Sequence, residues 1–263
     1  MKMNKKLIFA AFTAAALPFA AQALTIGFET GEDYAAGNLA NNSRWSVTNP
    51  GNPANANPIN VTAGVGVGGT QGLSSSAGSG SNFTYYGFDT TNADLGFTFD
   101  SESSILDYSF QWRATDDFAA ASVDIFRFTI GSSGAAGASA ALSLTVRSHG
   151  VFVVLDGATT RTESNLFTSG TYATISGQVN YATNTYTVFV DDTQQFTAFN
   201  GGSLAFNNAN SDNAFIRIGN LTGQSDDYVA WNLDNITVIP EPSTLALLGI
   251  ALSSMMFLRR RKN

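Results

Sequence analysis

The residue types that most often perform catalysis are scarce between Leu24 and Ile239. This stretch contains a single histidine, His149, in Ser148-His149-Gly150 between two predicted strands, where a turn exposed to solvent is expected. A Ser-His-Asp hydrolase needs such a base, but the chain has no G-x-S-x-G elbow to present the serine. One histidine cannot form a multi-histidine zinc site, and the absence of cysteine excludes disulfides, thiolate metal sites and cysteine nucleophiles.

Paired carboxylates could still hydrolyse a glycosidic bond, one as the acid and the other as base or nucleophile. The stretch has four glutamates, in sequence typical of loops or strand edges: Glu29, Glu32, Glu102 and Glu163. The E-x-D-x-E strand pattern of β-sandwich glucanases is absent. We therefore expect a non-catalytic protein, with a glycan-cleaving enzyme as the alternative.

Aspartate pairs are a further group of candidate ligands. They occur at Asp116-Asp117, Asp191-Asp192 and Asp226-Asp227, and Asp234 lies in the last predicted strand. Calcium takes about six to eight oxygen ligands, so Asp226, Asp227 and Asp234 are the candidate calcium site, and no other cofactor is expected. The competing explanation is turn formation, because aspartate side chains also hydrogen-bond the backbone of turns.

Aromatic side chains in loops could stack on sugar rings. The candidates for glycan contact are Tyr34, Trp45, Tyr85 and Tyr86. Packing against the edge of the domain is the competing interpretation for all four. Trp112 and Trp231 lie on apolar strand faces and are predicted to be core residues.

The charge of the stretch limits its partners. Between Leu24 and Ile239 there are six arginines, no lysine and 19 acidic residues, a formal charge of −13. Nucleic-acid binding depends on clustered lysine and arginine, so no nucleic acid is expected as a partner. A polyanionic glycan is disfavoured as well, unless a divalent cation bridges it to the protein.

Alternation of apolar and polar residues predicts the elements that must hold these residues. The clearest case places Leu106, Tyr108, Phe110 and Trp112 on one face of a strand. Further strands are predicted at 123–130, 142–146, 151–155, 215–218 and 231–238, and a hairpin at 178–191 with Tyr186, Val188 and Val190 inside.

The segments between the predicted strands are predicted to be loops rather than helices. We expect surface loops at Asn49–Asn60 and Gly64–Ser81. The second loop contains a match to G-x-G-x-x-G at Gly64, Gly66 and Gly69. Nucleotide binding would require a helix after this motif, and no helical pattern follows it. No window longer than about ten residues in the domain has a helical period. The fold class predicted is all-β, a two-sheet antiparallel β-sandwich.

The N-terminal residues have the layout of a secretory signal peptide. Lys2, Lys5 and Lys6 precede the apolar segment Leu7–Ala20, and Ala21-Gln22-Ala23 is an A-x-A cleavage site. We expect signal peptidase to cut after Ala23, so that residues 1–23 are removed and Leu24 becomes the first residue.

The C-terminal residues are also a targeting signal. Pro240-Glu241-Pro242 is followed by the apolar stretch Leu245–Leu258 and by Arg259, Arg260, Arg261 and Lys262, a basic cluster of the kind that stays cytoplasmic. This tail, residues 240–263, resembles the PEP-CTERM sorting signal of Gram-negative bacteria. The resemblance implies recognition of Pro240, Glu241 and Pro242 by a membrane-embedded exosortase, with the apolar stretch as a transient membrane helix. An anchor that is never cut is the alternative.

A second resemblance covers parts of residues 24–239. The residues Gly27-Phe28-Glu29, Tyr34 and Trp45, and the closing stretch Trp231–Val238, resemble laminin G and concanavalin A-like jelly rolls. The resemblance of the tail implies that this domain is exported across the inner membrane to the cell surface or extracellular matrix, as a protein of the kind that accompanies exopolysaccharide and biofilms. Its expected role is structural or carbohydrate-binding; a protein adhesin is a further alternative.

Overall fold

Two antiparallel sheets make up the computed structural model, which describes residues 24–48, 58–75, 83–89, 105–119, 122–131, 140–206, 215–221 and 228–240. Strands are numbered in chain order. Within these ranges the larger sheet has eleven strands: β1 (Leu24–Ile26), β2 (Gly37–Asn38), β4 (Ile59–Thr62), β5 (Gly72–Ser75), β7 (Ile105–Ala114), β12 (Ala173–Asn180), β13 (Thr185–Tyr186), β14 (Phe189–Val190), β15 (Thr193–Gln194), β16 (Leu204–Ala205) and β18 (Trp231–Pro240).

The second sheet has seven strands in the same described ranges. Their order across the sheet is β11-β10-β9-β8-β17-β6-β3. Short 3-10 turns lie at Thr30–Glu32, Leu39–Asn41, Val67–Gly69 and Asn200–Gly202. The strands are β3 (Trp45–Thr48), β6 (Phe83–Asp89), β8 (Asp124–Gly131), β9 (Ala140–Arg147), β10 (Phe152–Asp156), β11 (Thr159–Glu163) and β17 (Phe215–Leu221).

Aromatic side chains join the two sheets face to face. Phe110 of β7 packs on Phe128 of β8 with ring centroids 4.4 Å apart, and Trp231 of β18 meets Phe126 of β8 edge-on at 5.0 Å. Such pairs each add about 0.5–1.5 kcal/mol beyond the burial of their area. The prediction of an all-β, two-sheet antiparallel β-sandwich is confirmed.

The predicted strand faces agree with the structure. Every second residue of β7 from Leu106 to Trp112 is at most 2% exposed, and Trp112 and Trp231 are fully buried core residues, as predicted. The predicted hairpin forms from β12, β13 and β14, with Tyr186, Val188 and Val190 buried. The alternation of apolar and polar residues therefore identifies which face of each strand packs in the core.

The two predicted loops are partly wrong. Strand β5 lies inside the expected loop Gly64–Ser81, and β4 begins at Ile59, inside Asn49–Asn60. Glycine at 66 is required here by close backbone packing, since a Cβ on Gly66 would lie 2.5 Å from the carbonyl oxygen of Gln71. A strand rather than a helix follows the G-x-G-x-x-G residues, and the remaining residues of both loops lie partly outside the described ranges.

Candidate functional site

The predicted sorting motif begins at the end of β18. Pro240 is the last residue of this strand and lies opposite Leu106 of β7, with Ile239 opposite Asp107. On the other side of β18, Leu24 at the start of β1 lies opposite Val238. The first residue expected after signal cleavage is therefore adjacent to the start of the motif.

The other targeting residues lie outside the described ranges: Ala21, Ala23, Glu241, Pro242, the apolar stretch 245–258 and the basic residues Arg259, Arg260, Arg261 and Lys262. Their roles remain predictions. Among the helices of the described ranges, none has the length and apolar character needed to span a membrane.

The predicted glycan-contacting aromatics are buried, Tyr34, Trp45 and Tyr86 in the core and Tyr85 on the other face of its strand, which corrects the expectation that they offer rings to a sugar. Tyr34, Trp45, Tyr85 and Tyr86 are each 1–4% exposed, and all but Tyr34 lie in strands. The indole of Trp45 donates to the hydroxyl of Tyr34 at 3.0 Å, and Tyr86 accepts the backbone N–H of Ile59 at 3.1 Å. Their polar ends are thus satisfied inside the protein, as burial requires.

Asp234, from the predicted calcium site, is buried beside two glutamates. Its carboxylate accepts the backbone N–H groups of Val67 and Asn235, both at 2.8 Å. Burial raises the pKa of Asp234, these two hydrogen bonds oppose the rise, and the charges of Glu29 and Glu32 add to it. The hydrogen bond from Val67 links its loop to β18. Hydrogen bonding of an aspartate side chain to the backbone is the explanation that competed with calcium binding.

The rest of the calcium prediction is not tested. Asp226 and Asp227 lie outside the described ranges. Within those ranges, histidine, aspartate and glutamate nowhere form a group of three that could hold a metal ion.

A small depression of about 170 Å³ lies beside β1. Its lining combines apolar side chains with Glu32 and Arg44. It is too small for an extended oligosaccharide, because ligand pockets usually measure about 300–1,000 Å³.

The outer face of the seven-stranded sheet carries a set of polar residues that sequence reasoning missed. Registers across β9, β8, β17 and β6 align Thr145, Arg127, Gly219 and Tyr85 in one row and Ser143, Thr129, Arg217 and Gly87 in the next. Their strand neighbours Leu144, Phe128 and Ile218 point to the core. We call the following six side chains the polar face: Tyr85, Arg127, Thr129, Ser143, Thr145 and Arg217.

Arg127 is the centre of the polar face. Its Nε donates to Thr145 Oγ1 at 3.0 Å, its Nη1 to the Tyr85 hydroxyl at 3.2 Å and its Nη2 to Asp124 at 3.0 Å. Arg127 reaches Tyr85 because Gly219, which lies between them in the row, has no side chain. Asp124 also accepts from Arg147 Nε at 3.1 Å. The result is a connected network of guanidinium, hydroxyl and carboxylate groups.

Most side chains of the polar face are buried, whereas Arg127 and its partners Asp124 and Arg147 are partly exposed. Tyr85, Thr129, Ser143, Thr145 and Arg217 are 3–7% exposed. The side chains of Asp124, Arg127 and Arg147 are 20–33% exposed. Burial lowers the pKa of Arg217 from its ordinary value. The signal in the sequence was the alternation of Arg127 and Thr129 with Phe126, Phe128 and Ile130.

Three of the four glutamates considered for catalysis hydrogen-bond the backbone of the protein. Glu29 accepts the backbone N–H of Gln71, Glu32 that of Gly27, and Glu163 that of Phe196. Glu102 lies outside the described ranges. His149 lies in a turn, as predicted, but is half-buried rather than exposed.

A family model of the PEP-CTERM protein-sorting motif matches residues 238–262. The match includes Val238, Ile239 and Pro240 of β18, so the motif overlaps the folded domain by three residues. The chain therefore carries a signal for exosortase-dependent sorting and export. No curated protein matches the chain in sequence.

Solved structures of similar fold share little sequence with the chain. A carbohydrate esterase from the Shiga toxin-encoding bacteriophage phi24B is 9% identical, with a TM-score of 0.50 over 82% of this chain and 99% of that one. A sialidase is 12% identical (TM-score 0.49, 78% of this chain), and a Trypanosoma rangeli sialidase 10% (TM-score 0.46, 76% of this chain). The chain spans 18% and 31% of the lengths of these two sialidases. At such identities the likeness concerns the fold alone.

Proposed function

We propose that this chain is an exported, non-catalytic protein of the cell surface or extracellular matrix, whose β-sandwich binds polysaccharide through the polar face. In this account signal peptidase removes residues 1–23, and the C-terminal segment is a transient membrane helix until the sorting enzyme acts. The sorting motif at 238–262 supports the route to the exterior. The polar face supports the binding role.

One observation carries the binding proposal: the network around Arg127. Sugars present hydroxyl groups and ring oxygens, which accept hydrogen bonds from guanidinium N–H groups such as those of the partly exposed Arg127 and Arg147. A network that already fixes the guanidinium in place loses little side-chain entropy when a ligand binds. Side chains held in place in this way suit repeated weak contacts along a polymer.

The distribution of charge adds to this argument. Arg127, Arg147 and Arg217 are half of the six arginines between Leu24 and Ile239, and all three belong to neighbouring strands of one sheet. The rest of that stretch is strongly acidic. A sugar polymer that meets this domain therefore finds cationic donors concentrated on or beside the polar face.

The positions of the glutamates support a non-catalytic role. Glu29, Glu32 and Glu163 each accept a backbone amide in a loop or strand end. A glycosidase needs two carboxyl groups facing one bond, about 5–9.5 Å apart. Release of reducing sugar from any bound polysaccharide would contradict the proposal.

A pair of arginine variants tests the polar face. Arg127→Gln removes the guanidinium proposed to donate to the sugar, and we expect polysaccharide affinity to fall by about tenfold or more, because each charged hydrogen bond to the ligand that is lost weakens binding severalfold. Arg113→Gln is the matched control, since Arg113 lies on the other sheet, where its Nε donates to Asn232 at 3.0 Å. Titration calorimetry measures affinity, and thermal melting checks that both variants fold. Equal loss or no loss in the two variants would contradict the assignment.

A further inference from the structure

Strand β8 contains a bulge that turns Asp124 toward the arginines of its sheet. The pairing of β8 with β9 shifts between Asp124 and Phe126. Ile125 and Phe126 are both buried, although neighbours in a regular strand point to opposite faces. Bulges re-aim side chains, and this one lets Asp124 bond Arg127, three residues later in the same strand.

The carboxylate of Asp124 is shared by two arginines. Its Oδ2 accepts from Arg127 Nη2 at 3.0 Å, and its Oδ1 accepts from Arg147 Nε at 3.1 Å. One negative charge therefore lies between two positive charges, and these three side chains together carry a net positive charge. The side chains of Arg127 and Arg147 are 20% and 33% exposed, so both guanidinium groups are open in part to solvent.

The guanidinium of Arg127 is held in a fixed orientation. Each of its three nitrogens donates to a protein group, which sets the plane of the guanidinium. A guanidinium has five N–H groups, so these three contacts do not use all of them. Hydrogen bonds between charged groups are roughly twice as strong as those between neutral ones. A carboxylate on a sugar therefore gains more from this site than a sugar hydroxyl does.

The rest of the domain limits how much negative charge the ligand can carry. Residues 24–239 have six arginines and 19 acidic residues, a formal charge of −13. At physiological salt, charges are screened over about 8 Å. A single carboxylate beside the two arginines is attracted, whereas further carboxylates along the same polymer meet a domain of strongly negative net charge.

We propose that the polysaccharide bound at the polar face is sparsely acidic. It carries uronate carboxylates separated by neutral sugars, and one carboxylate binds Arg127 and Arg147. The inference rests on the proposed function and adds to it the class of sugar. Asp124 positions the two guanidinium groups side by side and does not touch the ligand.

Polymers matched in backbone test this inference on the exported, mature protein. Xanthan and gellan carry uronates separated by neutral sugars, whereas alginate carries a uronate on every sugar. Carbodiimide activation followed by borohydride reduction converts the uronates of xanthan and gellan to neutral sugars of the same linkage. Titration calorimetry compares each polymer with its reduced form, and neutral glucans complete the set.

We expect reduction of the carboxylates to weaken binding of xanthan or gellan by about tenfold, and alginate to bind more weakly than either. Binding of any neutral polymer without a preference for the carboxylated forms would overturn this inference and leave the proposed function standing. Tighter binding of alginate than of xanthan and gellan would overturn it as well. Absence of binding to every polymer would contradict the proposed function itself.

Variants of Arg147 assign the carboxylate to this site. Arg147→Gln should reduce the preference for a carboxylated polymer over its reduced form by about threefold or more, and Arg147→Lys, which keeps the charge, should retain most of it. Arg44→Gln is the matched control, because the Arg44 side chain is 35% exposed and pairs with Asp33. Thermal melting checks that all three variants fold. An equal preference in Arg147→Gln and Arg44→Gln would contradict the assignment.

Discussion

At the scale of single residues, acidic side chains hold the loops of this domain. Asp156 shows the pattern most clearly: it accepts the backbone N–H of Ala205 at 2.9 Å and both Nε and Nη2 of Arg161, at 3.0 and 2.9 Å. The hydrogen bond from Ala205, with further help from Arg161, holds the pKa of Asp156 below its ordinary value despite opposing desolvation. Much of the negative charge is therefore structural.

Replacing Asp156 by asparagine should lower the free energy of unfolding by about 1–3 kcal/mol at neutral pH, because charged hydrogen bonds are lost. A lowered folded pKa stabilises the protein above the ordinary aspartate pKa of about 3.9, and this contribution is lost as the pH falls through the folded value. Urea unfolding at several pH values should show the deficit of Asp156→Asn shrinking in acid.

Asp33→Asn is the matched control for that prediction. Asp33 pairs with Arg44 at 3.4 Å, but its side chain is 86% exposed. Exposed ion pairs contribute about 0–1 kcal/mol, and asparagine tolerates the positive φ of 67° found here. A loss for Asp33→Asn as large as that for Asp156→Asn would contradict the account.

The aromatic residues show the limit of sequence reasoning at this scale. Tyr85 and Tyr86 are adjacent, so a strand must turn them to opposite faces. Tyr86 reaches Ile59 in the other sheet, and Tyr85 reaches Arg127 across Gly219. Neither partner is near in sequence. A local pattern therefore identified residue types suited to sugars without showing that their rings are enclosed.

At the scale of elements, periodic strands were predictable and irregular ones were not. The alternation over Leu106–Trp112 predicts β7 and its core face, because every second side chain has the same environment. Strand β5 was predicted as part of a loop, because its four residues, Gly72–Ser75, follow a glycine-rich run. Leu73 is buried because β5 pairs with β18, which is distant in the sequence. Whether such a short segment forms a strand depends on its pairing with a distant strand.

Gly177 in β12 gives a prediction about packing between elements. A Cβ there would lie 2.0 Å from the carbonyl oxygen of Thr187 and 2.6 Å from the Tyr108 hydroxyl. Gly177→Ala should therefore destabilise the domain by about 3 kcal/mol, since overpacking forces a backbone shift. Gly31→Ala, where a Cβ would meet nothing within 4 Å, is the control. Similar melting temperatures for the two variants would show that this contact is not restrictive.

Strand β1 gives a second prediction at this scale. Ile26 is 3% exposed and lies opposite Ile236, whereas Thr25 between the buried positions is exposed. Ile26→Ala should cost about 2–5 kcal/mol, as core truncations do, and Thr25→Ala less than about 0.5 kcal/mol. Chemical unfolding of the two variants measures both values. A small effect of Ile26→Ala would mean that β1 is only loosely docked on β18.

At the scale of the whole molecule, the two ends of the described chain meet. Leu24 and Val238 are partners on neighbouring strands, so the segments before and after the domain leave it at one end of one sheet. If both segments enter a membrane, that end of the sandwich faces the lipid. The sequence predicted both targeting segments but could not predict their proximity, which depends on the pairing of residues more than 200 positions apart.

The composition of the whole chain limited the possible partners but did not locate the proposed binding face. The lack of lysine and cysteine indicated an acidic domain held by packing. It also argued against nucleic acid and polyanionic glycans as partners, but it could not show that register places Arg127 and Arg217 in adjacent rows of one sheet face. A count of charged residues gives the net charge of the chain, whereas the charge of one sheet face depends on where the few arginines lie.

The most direct test of the proposed function is binding of the exported, mature protein to a panel of bacterial and plant polysaccharides, with and without calcium. We predict saturable binding to at least one polymer without release of reducing sugar. Dependence on calcium would support the predicted ligand role of Asp226, Asp227 and Asp234. Absence of binding across the panel, or turnover of a bound polymer, would contradict the account.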